Sequence, residues 1–145
     1  MISLVLTKEL PKIELLDSQV KFVSKPERIR EGLKQENCSG YNIICNGRIV
    51  GFFLLRNYAE NEYFLWDMMI DKKYQGKGVG KAAQSELMQI LHSREATVLT
   101  TTYVYGNDLS RHLFESAGFR EHSVVNENGI HEVNMIYHFN QVPLK

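Results

Sequence analysis

The stretch Asp71-Lys-Lys-Tyr-Gln-Gly-Lys-Gly-Val-Gly80 lies between a short apolar run, residues 63–70, and a long segment whose apolar residues follow a helical period. Gly76, Gly78 and Gly80 occur at alternate positions, so the backbone there can approach a ligand without a Cβ in the way. The first amides of the following helix have no acceptor within the helix and lie at the positive end of its dipole. A strand, a glycine-rich turn and a helix N-terminus in this order predict a site for a pyrophosphate group.

Two familiar nucleotide-binding motifs do not fit this stretch. A P-loop needs Ser or Thr directly after Gly-Lys, but Lys77 is followed by Gly78, and Lys81 is followed by Ala82. No hydroxyl is therefore placed for magnesium, which argues against an NTPase. The dinucleotide fingerprint needs Gly-x-Gly-x-x-Gly after an early strand, whereas these glycines alternate and follow several strand-like runs.

A second motif lies downstream, Asn107-Asp-Leu-Ser-Arg-His-Leu-Phe-Glu-Ser-Ala-Gly-Phe119. Asn107 suits a helix cap or an amide partner for a ligand, and residues 109–117 predict one short helix. Gly118 predicts a left-handed stop to that helix, after which Phe119 begins the next strand.

The two motifs together resemble the GNAT superfamily of N-acyltransferases. Residues 75–80 match its acyl-CoA pyrophosphate loop, Gln-x-x-Gly-x-Gly, and the segment from Asn107 resembles its Asn-x-x-Ala/Ser-x-x-x-Tyr-Glu-x-x-Gly-Phe pattern. The resemblance covers roughly residues 40–139 and is much weaker in the N-terminal third. It implies one GNAT domain over residues 1–145 that transfers an acetyl group from acetyl-CoA directly to a primary amine.

Hydrophobic periodicity and turn signals predict the remaining elements. Asn46-Gly47 is a strong hairpin signal, and Pro26 suits the first turn of a helix. Strands are predicted at 1–6, 41–45, 48–56, 63–70, 97–103, 119–125 and 130–139, and helices at 24–37, 78–92 and 109–117. This order is mixed α/β (α+β). Its resemblance to the GNAT fold implies a central mixed, mostly antiparallel sheet, splayed between the fourth and fifth strands and flanked by helices.

The resemblance also implies which residues contact acetyl-CoA. The pantetheine arm would pair with the open backbone edge of the strand before the loop, around Met68, Met69 and Ile70. The backbone amide near Met68 could then polarise the thioester carbonyl. The other implied cofactor contacts come from the two motifs: Gln75, Gly76, Lys77, Gly78, Val79, Gly80, Asn107, Ser110 and Phe114.

The catalytic positions depart from the family pattern. Phe114 stands where many relatives carry the Tyr that protonates the thiolate, and Phe64 and Trp66 stand where several carry a Glu or His base. Strand alternation predicts that both aromatics share a face with Met68, where they line an acceptor pocket or are simply core, and that Asp67 lies on the other face. The catalytic candidates are therefore Tyr105, Glu132 and Asp67, with Tyr103, Ser110, His112 and His131 as alternatives.

Composition excludes several other classes of function. The 17 basic residues balance the 17 acidic ones, so no global positive field would attract nucleic acid. No apolar run approaches the ~20 residues of a membrane span. Cys38 and Cys45 predict two reduced thiols, hence a cytoplasmic protein, and the five histidines show no metal-ligand spacing.

The acceptor is the least defined part of the prediction. The segment Tyr74-Gln-Gly-Lys-Gly and the pair Phe22-Val23 resemble the bacterial polyamine acetyltransferase-like branch, which implies a small-molecule amine; antibiotic amines and protein N-termini are alternatives. A different class, a CoA-binding sensor with little or no catalysis, is favoured by Phe114. A purely structural turn is a third alternative. The resemblance also implies a homodimer formed through the last strands.

Overall fold

The structure is a computed structural model that describes residues 1–139 apart from the side chain of Ile130, and these residues form seven strands and three α-helices. The predicted domain, 1–145, extends beyond these residues. The strands are β1 (Ile2–Thr7), β2 (Cys38–Cys45), β3 (Arg48–Ala59), β4 (Glu62–Ile70), β5 (Val98–Val104), β6 (Arg120–Glu127) and β7 (Ile130–His138). The helices are α1 (Pro26–Leu33), α2 (Val79–Ser93) and α3 (Asp108–Ser116).

All seven strands join one sheet in the order β1-β2-β3-β4-β5-β7-β6. Every neighbouring pair is antiparallel except β4 and β5, which are parallel and connected through α2. A parallel pair needs such a crossover, because the chain must return to the same end of the sheet. The mixed, mostly antiparallel sheet expected from the sequence is therefore confirmed.

The sheet opens between β4 and β5. These strands pair only from Glu62 opposite Val98 to Leu65 opposite Thr101. β4 then continues to Ile70 and β5 to Val104 without pairing to each other. The predicted splay is confirmed, and it leaves a gap in the sheet directly before the glycine-rich turn.

Two apolar clusters cover the two faces of the sheet. The larger includes Ala83, Leu87 and Leu91 of α2, each of them fully buried. The smaller lies under α1, around Ile29 and Leu33. Burial of a leucine side chain contributes about 1.5–3 kcal/mol, so the spacing of α2's apolar residues fixes that helix to its face of the sheet.

Local signals predicted the turns well. Asn46 and Gly47 have φ values of 51° and 78°, as a two-residue hairpin requires, and Gly118 has φ 99°. The side chain of Asn107 caps α3 by accepting a hydrogen bond from the Ser110 amide at 3.3 Å.

Several predicted boundaries were wrong. The helix predicted at 24–37 is only Pro26–Leu33: Lys25 is extended (ψ 147°) because a residue before Pro avoids helical geometry. At the other end the amides of Lys34 and Gln35 bond three residues back, which tightens the chain into a turn before β2. β3 continues to Ala59, three residues beyond the predicted end at residue 56.

A bulge in β4 overturns the predicted alternation of its side chains. Leu55 pairs with Leu65, but Leu54 pairs with Asp67, so Trp66 is an extra residue on β4. Trp66 packs in the α1 cluster, and Asp67 shares that face with its partner Leu54. Met68 packs in the other cluster. Trp66 and Met68 therefore lie on opposite faces of the sheet. Asp67 lies on the same face as Trp66, whereas the sequence predicted that it would lie on the other face.

Candidate active site

A cavity of about 300 Å³ occupies the gap between β4 and β5. Its walls come from the end of β4, the glycine-rich turn, the start of α2, β5, α3 and the N-terminal segment before α1. It brings together most of the residues singled out in the sequence: Trp66, Asp67, Met68, Met69, Ile70, Gln75, Gly76, Gly78, Val79, Gly80, Asn107, Ser110 and Phe114.

The backbone of β4 faces this gap at alternate residues. Asp71 donates its amide to the Val50 carbonyl of β3 at 2.8 Å. Because backbone groups alternate along a strand, those of Ile70 and Met68 point away from β3, into the gap. This is the open edge that the sequence predicted at Met68 and Ile70, and an extended ligand can pair with it as an added strand does.

The glycine-rich turn leaves its backbone accessible. Gly76 and Gly78 have φ values of 73° and 80°, and a Cβ added to either would meet nothing within 4 Å. The first bond of the α2 ladder runs from the Ala82 amide to the Gly78 carbonyl at 3.0 Å. The amides before Ala82 therefore point out of the helix start beside the turn, as an anion-binding site requires.

Two side chains hold the turn in shape. Asp71 accepts hydrogen bonds from the amides of Lys73 (3.0 Å) and Glu14 (3.1 Å). Desolvation would raise the pKa of the Asp71 carboxyl, but these amides and the charges of Lys73 and Lys72 together lower the pKa below its ordinary value. Asp71 is thus held as a carboxylate that ties the turn to the N-terminal segment.

Gln75 is committed to contacts within the protein. Its side-chain Nε2 donates to the Ile70 carbonyl and to Oε1 of Gln19, each at 2.8 Å. Its own Oε1 accepts from Nε2 of Gln19, also at 2.8 Å. The side chain predicted to contact the cofactor therefore shapes the turn, and its neighbouring backbone remains beside the cavity.

The N-terminal segment supplies a wall that the sequence barely indicated. Leu15, Gln19, Phe22 and Val23 line the cavity. Of these, sequence resemblance points only to the pair Phe22-Val23; the other two side chains carry no local signal, because their positions depend on contacts with residues far along the chain.

Asp67 is buried in the cavity wall, with 6% of its surface exposed. Its Oδ1 accepts a hydrogen bond from the Ser24 amide at 2.9 Å. Burial raises the pKa of the carboxyl, and hydrogen bonds from Ser24 and the charge of Arg28 oppose that shift.

Five residues that carry hydroxyls line the cavity together with Phe114: Tyr74, Thr101, Thr102, Tyr103 and Ser110. Phe114 itself is 4% exposed and packs on Phe119 with ring centroids 5.4 Å apart. The Tyr103 hydroxyl lies 3.4 Å from Oε1 of Glu121. Burial, assisted by the Glu121 charge, raises the pKa of Tyr103, so this side chain keeps its proton at neutral pH.

The cavity lining does not include Phe64, Lys77, Tyr105 or Glu132, nor the alternative catalytic candidates His112 and His131. Tyr105 is 67% exposed and stacks on the ring of His131, with centroids 4.6 Å apart. The Lys77 ammonium lies 5.9 Å from the centroid of the Tyr74 ring. Of the three catalytic candidates, the structure brings only Asp67 to the cavity.

Within residues 1–139, none of the helices is both long and apolar enough to cross a membrane. The same described residues contain no group of three or more His, Cys, Asp or Glu side chains placed to hold a metal ion.

Known proteins show the same architecture. The structure of an IAA acetyltransferase from Bacillus cereus superposes with a TM-score of 0.75 at 14% identity, covering 96% of this chain and 100% of that one. A GNAT family acetyltransferase from Elizabethkingia anophelis, with acetyl-CoA bound, gives a TM-score of 0.75 at 15% identity, covering 95% and 98%. At such identities the likeness concerns the fold.

In sequence, the chain is 35% identical to N-acetylaspartate synthetase of Rattus norvegicus over 80 residues, which is 53% of this chain. It spans 26% of the length of that relative. The model of the acetyltransferase (GNAT) family matches residues 8–119. With most of its length matched by that model and its sheet splayed around a glycine-rich turn, the chain belongs to the GNAT family of acetyltransferases.

Proposed function

We propose that this protein is an acetyl-CoA-dependent N-acetyltransferase that acts by direct attack of a primary amine within a ternary complex. The observation that carries the proposal is the cavity between β4 and β5, which joins an open backbone edge to a glycine-rich helix N-terminus. The single sheet that contains all the described strands supports one domain over residues 1–145.

The residues of the gap suit acetyl-CoA. The amides before Ala82 and the open space at Gly76 and Gly78 fit a pyrophosphate. The backbone groups of Met68 and Ile70 fit the amides of a pantetheine arm, although the Ile70 carbonyl already accepts from Gln75. The acetyl-CoA bound to the Elizabethkingia anophelis acetyltransferase, which has the same fold, supports this choice of co-substrate.

Catalysis of this kind rests mainly on positioning. Acetyl-CoA supplies an already activated acetyl group, so the protein needs to hold an amine beside it, polarise its carbonyl and allow a proton to reach the leaving sulfur. The Met68 amide points into the gap, where it can polarise the carbonyl of the thioester. Phe114 has no acidic proton to give to the sulfur, but Ser110 and Tyr103, which carry hydroxyls, line the same cavity.

The wall around Trp66 favours a small amine. Phe22, Val23 and Trp66 present apolar surface, and Asp67 is the carboxylate among the described cavity residues. This combination suits an aliphatic chain that ends in an ammonium group, such as a polyamine. An antibiotic amine or a protein N-terminus would present the same reactive nitrogen on a larger molecule. The name of the rat relative makes aspartate a further acceptor to test.

Release of free CoA tests the proposal. Acetyl-CoA would be mixed with each of spermidine, spermine, aminoglycosides, aspartate and short peptides, and thiol formation followed with a chromogenic reagent. Cys38 and Cys45 are free cysteines, so a protein-only blank is needed. We expect release that depends on one class of amine. Equal release with and without every amine would contradict the proposal.

The second candidate function is a CoA-binding sensor without catalysis, favoured by Phe114 at the position of the expected proton donor. It predicts tight CoA binding by calorimetry together with no amine-dependent release. The two functions therefore separate in one pair of measurements.

Pairing of two copies through their last strands is a further proposal. β6 is the edge strand of the sheet beyond β7, and all its residues are exposed. An edge of unpaired backbone groups can pair with the same edge of a second copy.

A further inference from the structure

We propose that Asp67 binds the ammonium group of the acceptor amine and takes its proton before the attack. This inference rests on the proposed function and deepens it, since it assigns the acceptor-recognition and base roles to a residue outside the two sequence motifs.

The bulge in β4 is the reason Asp67 can take this role. With Trp66 as the extra residue, Asp67 turns onto the α1 face and reaches the cavity. Its Oδ1 is fixed by the Ser24 amide at 2.9 Å. Its Oδ2 is buried and has no hydrogen-bond partner among the described residues.

A buried carboxylate oxygen without a partner is costly, because it has lost its water and gained nothing in return. An ammonium group entering the cavity would supply both a hydrogen bond and the opposite charge. The aromatic side chains of Trp66 and Phe22, which line the same cavity, are also favourable neighbours for a cation.

The surrounding charges leave this carboxylate available. The other titratable groups that line the cavity are Tyr74, Lys81 and Tyr103. From α1, the exposed Arg28 acts on Asp67 through its charge and opposes the upward shift of the carboxyl pKa that burial causes. A carboxyl whose pKa is raised is a stronger base than an ordinary one and is better matched to an ammonium group.

The proton balance of the step is complete. The ammonium gives one proton to Asp67 and becomes a neutral amine. The nitrogen lone pair forms a bond to the acetyl carbonyl carbon, the carbon–sulfur bond breaks, and its electron pair stays on sulfur. A second proton leaves the nitrogen and neutralises the thiolate. Asp67 returns its own proton to solvent, so the products are an acetamide, CoA thiol and one released proton.

A purely structural role would be different. Asp67 also anchors the N-terminal segment through Ser24, so its loss could merely loosen that wall. Asp67→Asn separates the two roles, since an amide oxygen can still accept from Ser24 while the charge and the basicity are lost.

The test compares the wild type with Asp67→Asn in two measurements. Calorimetry titrates spermidine into CoA-loaded protein, which needs no acetyl transfer, and kinetics with acetyl-CoA records kcat/KM for spermidine against pH. We expect the variant to lose about tenfold or more in spermidine affinity, the loss of one charged hydrogen bond. The acid limb of the pH profile should disappear, while CoA affinity stays unchanged.

Asp17→Asn is the matched control. Asp17 lies in the same N-terminal segment, is exposed and does not line the cavity, so its replacement removes one negative charge without removing the buried carboxylate. Its spermidine affinity and pH profile should match those of the wild type.

The outcomes distinguish this inference from the proposed function. Unchanged spermidine affinity and an unchanged pH profile in Asp67→Asn would overturn the role of Asp67 while leaving acetyl transfer intact. A parallel loss of CoA affinity would also overturn it, in favour of the structural role. Neither binding nor transfer of any amine by the wild type would overturn the proposed function itself.

Discussion

The side-chain amides of Gln19 and Gln75 face each other and exchange two hydrogen bonds, each 2.8 Å long. Gln75 also donates to the Ile70 carbonyl. This one pair therefore joins three walls of the cavity: the N-terminal segment, the glycine-rich turn and the end of β4. The wall that would face the acceptor is thus coupled to the turn that would hold the pyrophosphate.

Breaking this pair should reveal that coupling. We expect Gln19→Ala and Gln75→Ala each to lower the free energy of unfolding by about 0.5–1.5 kcal/mol per lost hydrogen bond, with the larger loss for Gln75 because it also bonds Ile70. Urea unfolding of both single variants and the double variant measures this as a double-mutant cycle. The double variant should lose less than the sum of the two; strict additivity would mean that the pair contributes nothing.

Gly78→Glu should abolish CoA binding. The substitution places a carboxylate beside the proposed pyrophosphate site, at a residue with φ 80° and open space around it. The left-handed backbone alone costs about 1–2 kcal/mol, so the variant also needs a control for strain. Gly47→Glu provides it, since Gly47 has φ 78° and equally open surroundings in the β2–β3 hairpin.

Calorimetry with CoA would compare the two variants. Similar losses of stability are expected, but only the Gly78 variant should lose CoA affinity. If Gly78→Glu kept wild-type affinity, the assignment of the turn to the pyrophosphate would be wrong.

The features that were predicted correctly are those that depend only on residues adjacent in the sequence. The glycine-rich turn, the Asn107 cap and the Asn46-Gly47 hairpin each depend on a few adjacent residues, and each was predicted. The bulge at Trp66 was missed because no Gly or Pro marks it; it depends on how β4 pairs with β3. As a result, Asp67 lines the cavity together with Trp66 and Met68, although its side chain was predicted to face away from them.

The N-terminal wall of the cavity could not be predicted either, because it too depends on contacts between residues that are distant in the sequence. Gln19 and Gln75 are 56 residues apart, and nothing near either residue indicates that they meet. The resemblance to the GNAT family was also weakest there, so neither periodicity nor motif could place Leu15 or Gln19 in the cavity.

The ionisation of Asp67 should contribute to the pH dependence of the free energy of unfolding. Burial raises the pKa of this carboxyl in the folded protein above its ordinary value of 3.8. The folded state then binds the proton more tightly than the unfolded state does, so the free energy of unfolding falls as pH rises from 3.8 through the raised pKa. Asp67→Asn should lack this decline when urea unfolding is measured across that range, and an identical decline in both proteins would contradict the assignment.

Gly51→Ala should disturb the strand pair that carries the site. An added Cβ would lie 2.5 Å from the Met69 carbonyl oxygen of β4, a backbone atom that cannot easily move. We expect a loss of about 1–3 kcal/mol or more in the free energy of unfolding, measured in urea. Gly32→Ala is a useful comparison, because its Cβ would lie 3.3 Å from a flexible methyl group of Leu54. Equal effects of the two substitutions would argue against so close an approach of β3 and β4 at Gly51.

The most direct test of the central claim is detection of the acetylated product. Wild-type protein would be incubated with isotopically labelled acetyl-CoA and each amine of the panel, and the mixture analysed by mass spectrometry. The account predicts that one class of small amine gains a labelled acetyl group, and that this product is absent without protein and with Gly78→Glu. Binding of CoA with no labelled amine anywhere in the panel would contradict it.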